Sequence, residues 1–225
     1  MSNVFYEETI LRQQYNLVKK IQYDKEFSKY ANVKFEDRLT GKINDITIPP
    51  SLKQYPELYI VDYKMPVFVN VGQLRTDWHG VAKIKLSYKV LTDIEAKNGP
   101  HVTFTSNFEP FNHHVKQNQI CSGNAWVVAN YNGLWHFIIS LGALINQDEF
   151  VCAEGGHLNR NAYDFWANRG RKPVSVINWP LDLLNKKKEI KVIPSKNKAK
   201  STIKIIKKTK PKTSSFNRIT VIKKG

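Results

Sequence analysis

The chain reads as an α+β protein: an N-terminal helix, an antiparallel β-meander, C-terminal helices and a disordered basic tail. Three observations predict this order. Apolar residues recur every three or four positions at the start, every second position in the middle, and every three or four again after Cys121.

Residues 4–28 carry the first pattern. Leu11, Tyr15, Val18 and Ile21 form a stripe with lysines and glutamates between them. Asn32 to Ile48 holds two short alternating runs around Thr40-Gly41, which predicts a hairpin, and Pro49-Pro50 ends it. Leu58 to Tyr63 and Pro66 to Val71 are rich in β-branched and aromatic residues and read as strands. The clearest strand is Gly80 to Val90. Ala82, Ile84, Leu86, Tyr88 and Val90 take one face; Lys83, Lys85, Ser87 and Lys89 take the other. Such a strand has one wet face and belongs to an antiparallel sheet. After Gly99-Pro100, Val102 and Phe104 alternate with Thr103 and Thr105, completing a meander of three or four strands.

The period then changes. Leu134, Ile138, Leu141 and Ile145 form a helical stripe that Trp135, Ile139 and Leu144 broaden, so this helix should be largely buried. A loop with Gly155-Gly156 follows, then a helix capped by Asn159 with Ala162, Phe165 and Trp166 inside. Trp179-Pro180-Leu181 to Leu184 reads as a last short turn. Trp126, Trp135, Trp166 and Trp179 read as core residues.

Charge separates the chain into two parts. Lys186 to Gly225 holds 15 of the 35 basic residues and one of the 19 acidic residues, Glu189, a net +14. Residues 1–185 carry 20 basic and 18 acidic residues, a net +2. A basic body would suggest a nucleic-acid-binding domain; a neutral body with a basic tail suggests a separable electrostatic function. No apolar run is long enough to span a bilayer, and the first residues lack a secretory pattern, which predicts a cytoplasmic protein. Two cysteines, Cys121 and Cys152, make no disulfide framework.

The segment from Pro100 to Gly123 holds the candidate chemistry. An alternating strand, Pro100-His101-Val102-Thr103-Phe104-Thr105, runs into the turn Asn112-His113-His114-Val115, then Asn118 and Ile120-Cys121-Ser122-Gly123. With the later Leu158-Asn159 and Ala162, this resembles the ubiquitin-conjugating (UBC-like) family. Its members join a Pro-x-Val-x-Phe-x-Thr strand to a His-Pro-Asn turn and an Ile/Val-Cys pair. The shorter spacing from Val115 to Cys121, and the Cys-x-Gly, look more like the bacterial branch. The resemblance covers residues 1–170 in element order and about 60 residues at motif level. It departs in the turn: His114 falls at the family's Asn, and Asn112 at the family's His.

The resemblance implies a UBC-like catalytic domain over residues 1–185, with 186–225 as a Lys-rich tail. It implies that Cys121 carries the C-terminal carbonyl of a ubiquitin-like modifier as a thioester and passes it to an amine. A thiolate suits this because it is nucleophilic near neutral pH and its thioester stays reactive. Asn112, His113 and His114 are the candidate donors for the tetrahedral oxyanion. Asp148, Glu149 and Glu154 are alternatives for the acidic residue that orients the attacking lysine. The step needs no metal, nucleotide or flavin. It implies three partners: an activating enzyme, a ubiquitin-like modifier protein and a protein acceptor.

Other readings stand beside this one. Cys121 alone would be a small buried hydrophobe, and Cys152 reads as structural. A zinc site from Cys121, Cys152, His113, His114 and His157 lacks any closely spaced ligand pair. A papain-like hydrolase would pair Cys121 with His136 or His157, but His136 lies inside the apolar helix and reads as structural. The rival of a different class is a non-catalytic UBC-like binding module. Its basic tail would bind nucleic acid, an anionic surface or a partner. The tail itself also reads as a solvated linker or as a target of self-modification. It alternates lysines with IKVI, TIKII and ITVI and cannot bury enough surface to offset ordering entropy. Truncation after Asn185 is therefore expected to leave a single cooperative thermal melt by circular dichroism. Loss of that cooperativity would place the boundary elsewhere.

Overall fold

The computed structural model describes residues 2–71, 73–86, 99–116, 118–122, 133–147, 158–168 and 175–185. The chain divides into two units, Met1–Lys188 and Glu189–Gly225. The basic tail, Tyr88, Val90, Trp126, Asp148, Glu149, Cys152, Glu154 and His157 lie outside the described residues.

Helix α1 spans Ser2–Gln22 and buries Leu11, Tyr15, Val18 and Ile21, the stripe read from the sequence. The expected single helix over 4–28 breaks near Asp24. That carboxylate accepts from the amides of Glu26 (3.0 Å) and Phe27 (3.2 Å) and starts a separate turn, α2, Lys25–Ser28. A side chain that satisfies backbone donors from outside the helix is a start signal, and here it outweighs the continuing apolar period.

Four long antiparallel strands follow in meander order: β1 (Ala31–Glu36), β3 (Leu58–Lys64), β6 (His79–Lys85) and β7 (His101–Ser106). The short strand β2 (Ile43–Asp45) returns from the predicted hairpin and pairs outside β1, with Lys34 opposite Asp45. Gly41 takes the positive φ of +66° that this turn needs. The sheet therefore runs β2-β1-β3-β6-β7. Alternation decides its faces. Ala82 and Ile84 are buried while Lys83 and Lys85 are exposed, as the sequence predicts. The run expected over 66–71 forms β4 (Val67–Asn70), which pairs with β5 (Gln73–Arg75) in a separate two-stranded sheet rather than joining the five-stranded one.

Helix α3, Leu134–Ile145, has all twelve residues buried. It packs with α1 against the inner sheet face, in one cluster that includes Val33, Tyr59, Val61, Ala82 and Ile84. Trp179 seals it from beyond. Its indole lies on Gly142, where any Cβ would collide with the ring, and its Nε1 donates to the Ile139 carbonyl at 2.9 Å. The same ring sits 5.7 Å from Phe27 and 6.1 Å from Tyr63. Helix α4 (Arg160–Asn168) and the turn α5 (Asp182–Asn185) complete the described body. Among the described residues no helix is long and apolar enough to cross a membrane.

One buried carboxylate organises the end of the sheet beside β2. Asp37 is 1% exposed and accepts from the amides of Leu39, Thr40 and Ser51 and from the Thr40 hydroxyl, at 2.9 to 3.1 Å. The Ser51 amide holds its carboxyl well below the ordinary carboxylate range, against the opposing pull of desolvation, and Thr40 adds to the lowering. A carboxyl depressed in the folded state stabilises above its unfolded pKa of about 4, and that stabilisation fades as pH falls further. Asp37→Asn is therefore expected to lower the urea midpoint at neutral pH, with the gap from wild type shrinking below about pH 4. An unchanged gap across that range would show that the ionised form carries no part of the stability.

Candidate functional site

The turn after β7 is built around Asn112, which is fully buried. Its Nδ2 donates to the carbonyls of Leu144 (2.7 Å) and Ile145 (3.2 Å), the last residues of α3. Its Oδ1 accepts from the His114 amide at 2.8 Å. One side chain thus caps a buried helix end and folds its own turn. Helix-terminal carbonyls have no partner inside the helix and need one when water is excluded. The neighbouring Gln147 strengthens the clamp, donating from Nε2 to the Phe111 carbonyl at 3.1 Å.

The start of α4 grips the same turn from another side. The amides of Leu158 and Asn159 donate to the His113 carbonyl at 2.9 and 3.3 Å. Asn159 caps the helix as expected, with Oδ1 accepting from the Ala162 amide at 3.2 Å. Ala162 is buried; Phe165 and Trp166 are half-buried and meet Phe111 with ring centres 5.4 and 6.1 Å away. This aromatic packing holds α4 to the turn.

His113 and His114 are 6% and 3% exposed, and their rings lie 4.0 Å apart. The turn's histidines are therefore packed inside the body rather than held in solvent. His113 also faces Tyr163, with centroids 6.5 Å apart.

From Val115 the chain makes a two-stranded hairpin, β8 (Val115–Lys116) with β9 (Gln119–Ile120), with Asn118 in its turn. Val115 stands opposite Ile120. The Cys121 amide then donates to the His114 carbonyl at 2.8 Å, one rung beyond that pair. His114 and Cys121 therefore face each other across the hairpin. Cys121 is a free, half-buried cysteine, and β9 lies against β7.

The structure thus gathers Cys121, His114, His113 and Asn112 at the tip of one clamped turn. Their roles differ by geometry. Asn112 has its donors engaged by helix carbonyls, which makes it a positioning residue. His136 is instead 3% exposed within α3, with the Ser140 hydroxyl 3.5 Å from its Nδ1. The sequence reading missed the link from Asn112 to Leu144 and Ile145 and the aromatic clamp of Phe111. The carbonyls are backbone atoms, so no residue type announces them. No family model, curated protein or solved structure matches the chain.

Removing the cap should loosen the site without touching the thiol. Asn112→Ala leaves two buried carbonyls short of a donor, at a cost of about 1–3 kcal/mol. Asn112→Asp is expected to cost more, since a carboxylate would face those carbonyls with no proton to give. Urea denaturation measures both; an Asp variant as stable as wild type would mean that the amide is not the cap.

Proposed function

We propose that the chain is a ubiquitin-conjugating type acyltransferase with a UBC-like fold, carrying a ubiquitin-like modifier as a thioester on Cys121. The observation that carries this reading is the rung between Cys121 and His114. It presents a half-buried thiol directly after a short strand, at the end of a turn braced on a buried helix. The order around it supports the same reading: an N-terminal helix, four meandering strands, a polar turn, cysteine, a buried helix, then a capped helix.

The chemistry is two acyl transfers. An ATP-using activating enzyme presents the modifier as a thioester. The Cys121 sulfur attacks that carbonyl, its own S–C bond forms, and the donor thiolate leaves. An acceptor amine then attacks the new thioester. The C–N bond forms, the C–S bond breaks, the Cys121 thiolate leaves, and the amine proton passes to a base. Each step passes through an oxyanion that needs nearby hydrogen-bond donors, typically worth about 3 kcal/mol apiece. His114, whose backbone carbonyl holds the Cys121 amide, is the candidate donor to that oxyanion. Asn112 holds the turn on which both depend.

A second reading has one observation in its favour. Asn112, His113 and His114 are all buried, so the turn's polar side chains serve the fold at least as much as a reaction. A non-catalytic UBC-like module, with its basic tail binding a polyanion or partner, would need no more than this.

Incubation with ATP, an activating enzyme and a ubiquitin-like modifier separates the two. The catalytic reading expects an adduct on a non-reducing gel that thiol reductant removes and Cys121→Ala abolishes. An adduct that survives Cys121→Ala would sink the assignment of the nucleophile. Absence of any adduct, with polyanion binding intact, would favour the module.

A further inference from the structure

Lysines are plentiful in this chain but scarce in the stretch that holds the candidate site. Between Lys97 and Lys172 the sequence contains a single lysine, Lys116. It precedes Cys121 on the same hairpin, and the register decides where its side chain lies. Lys116 pairs with Gln119, and Val115 with Ile120. The bond from the Cys121 amide to the His114 carbonyl, at 2.8 Å, continues that antiparallel register by one rung. Side chains alternate between the two faces of such a ladder. His114, Lys116, Gln119 and Cys121 therefore share one face, and Val115 and Ile120 share the other.

Burial tells the two faces apart. Val115 is fully buried and Ile120 packs, partly buried, against the core, so their face points inward. On the other face Lys116 and Gln119 are exposed and Cys121 is half-buried, while His114 occupies its covered end. Lys116 and Cys121 are diagonal neighbours there. Diagonal neighbours across a ladder lie about 7–8 Å apart, with Cβ atoms somewhat closer, and long side chains span that gap. No ion pair holds the Lys116 ammonium among the described residues, and its cross-strand partner is a neutral amide. An amine and a thiol thus share an open face, on a turn whose backbone Asn112 clamps to the core.

We propose that Lys116 is an internal acyl acceptor, a self-modification site that takes the acyl group from a thioester on Cys121. The inference rests on the nucleophilic Cys121 of the reading above, and adds where the acyl group goes when no external amine takes it. The Lys116 amine, having lost a proton to water, attacks the thioester carbonyl. A C–N bond forms, the C–S bond breaks, and Cys121 leaves as a thiolate. The products are an amide on Lys116 and a regenerated thiol. The substrate class is any acyl thioester that Cys121 can form by exchange. Proximity supplies the rate, because a neighbouring side chain attacks without the entropy cost of a second molecule. A thioester exchanges with other thiols and an amide does not. The hairpin thereby converts an exchangeable acyl group into a lasting mark beside the nucleophile.

The test uses S-phenyl thioacetate, a small acyl donor that needs neither an activating enzyme nor a modifier. The full chain is incubated with it near neutral pH, remaining thioesters are cleaved with hydroxylamine, and the surviving amides are mapped by peptide mass spectrometry. Wild type is expected to carry about tenfold or more acetyl on Lys116 than Cys121→Ala does. In Lys116→Arg, whose guanidinium is no nucleophile, the acetyl thioester on Cys121 should persist longer by intact mass before cleavage. Equal acetylation of Lys116 in wild type and Cys121→Ala would overturn the inference, since direct attack on the donor would explain it. So would a Cys121-dependent acetyl that settles on other lysines instead, or a Cys121 that never takes the acetyl group. Transfer to Lys116 here, with no modifier adduct in the ATP-driven incubation, would count against the carrier reading alone. A modifier thioester on Cys121, with no amide on Lys116 from either donor, would count against this inference alone.

Discussion

A helix buried on every side cannot use water at its ends, and that constraint shapes this molecule. Helix α3 shows no exposed residue along its twelve positions. Its first amides and last carbonyls must find protein partners or carry the cost of unpaired buried groups. Two carboxamides meet the need, from different parts of the chain. Gln14 of α1 accepts from the Leu134 amide at 2.7 Å, in space that only Gly133 leaves open. Asn112 caps the far end through Leu144 and Ile145. Asn146 carries the chain onward, donating to the Ile177 carbonyl and accepting from the amides of Val176 and Ile177. Tyr63 and Trp179 add donors to mid-helix carbonyls, at Ile138 and Ile139.

The candidate site inherits its order from this arrangement. The cap that satisfies α3 is also the residue that folds the turn, since Asn112 Oδ1 takes the His114 amide. His113 offers its carbonyl to the start of α4, and His114 offers its own to Cys121. Two neighbouring backbone carbonyls thus connect the thiol loop, the last long helix and the core. A disturbance at the helix end would reach Cys121 through three hydrogen bonds, which ties the thiol's position to the core.

Much of the fold was legible because burial leaves a period in the chain. Lys83 and Lys85 alternate with Ala82 and Ile84 because one sheet face is wet. Trp179 and Asn159 were readable from local chemistry, a large apolar ring and a capping side chain. Other features had no such signature. The helix break at Asp24 depends on a competition between an aspartate cap and an unbroken apolar stripe, and the two signals overlap in the sequence. The run at Val67–Asn70 has good strand composition, but which strand it joins depends on pairing partners far along the chain. His113 and His114 look like ordinary polar turn residues. They are buried because α4 and the end of α3 close over them, through contacts 30 to 50 positions away in sequence.

Periodicity and charge alone settled that the described body is mixed helix and antiparallel sheet, with an apolar helix at its centre and basicity concentrated after residue 185. Those properties are local sums over neighbouring side chains, so they can be read in one dimension. The roles of Asn112, the pairing of His114 with Cys121 and the shared grip of Asp37 on Leu39 and Ser51 were decided only in three dimensions. Each depends on a backbone donor or acceptor supplied by a distant segment, and backbone groups are the same at every position until the fold brings them together.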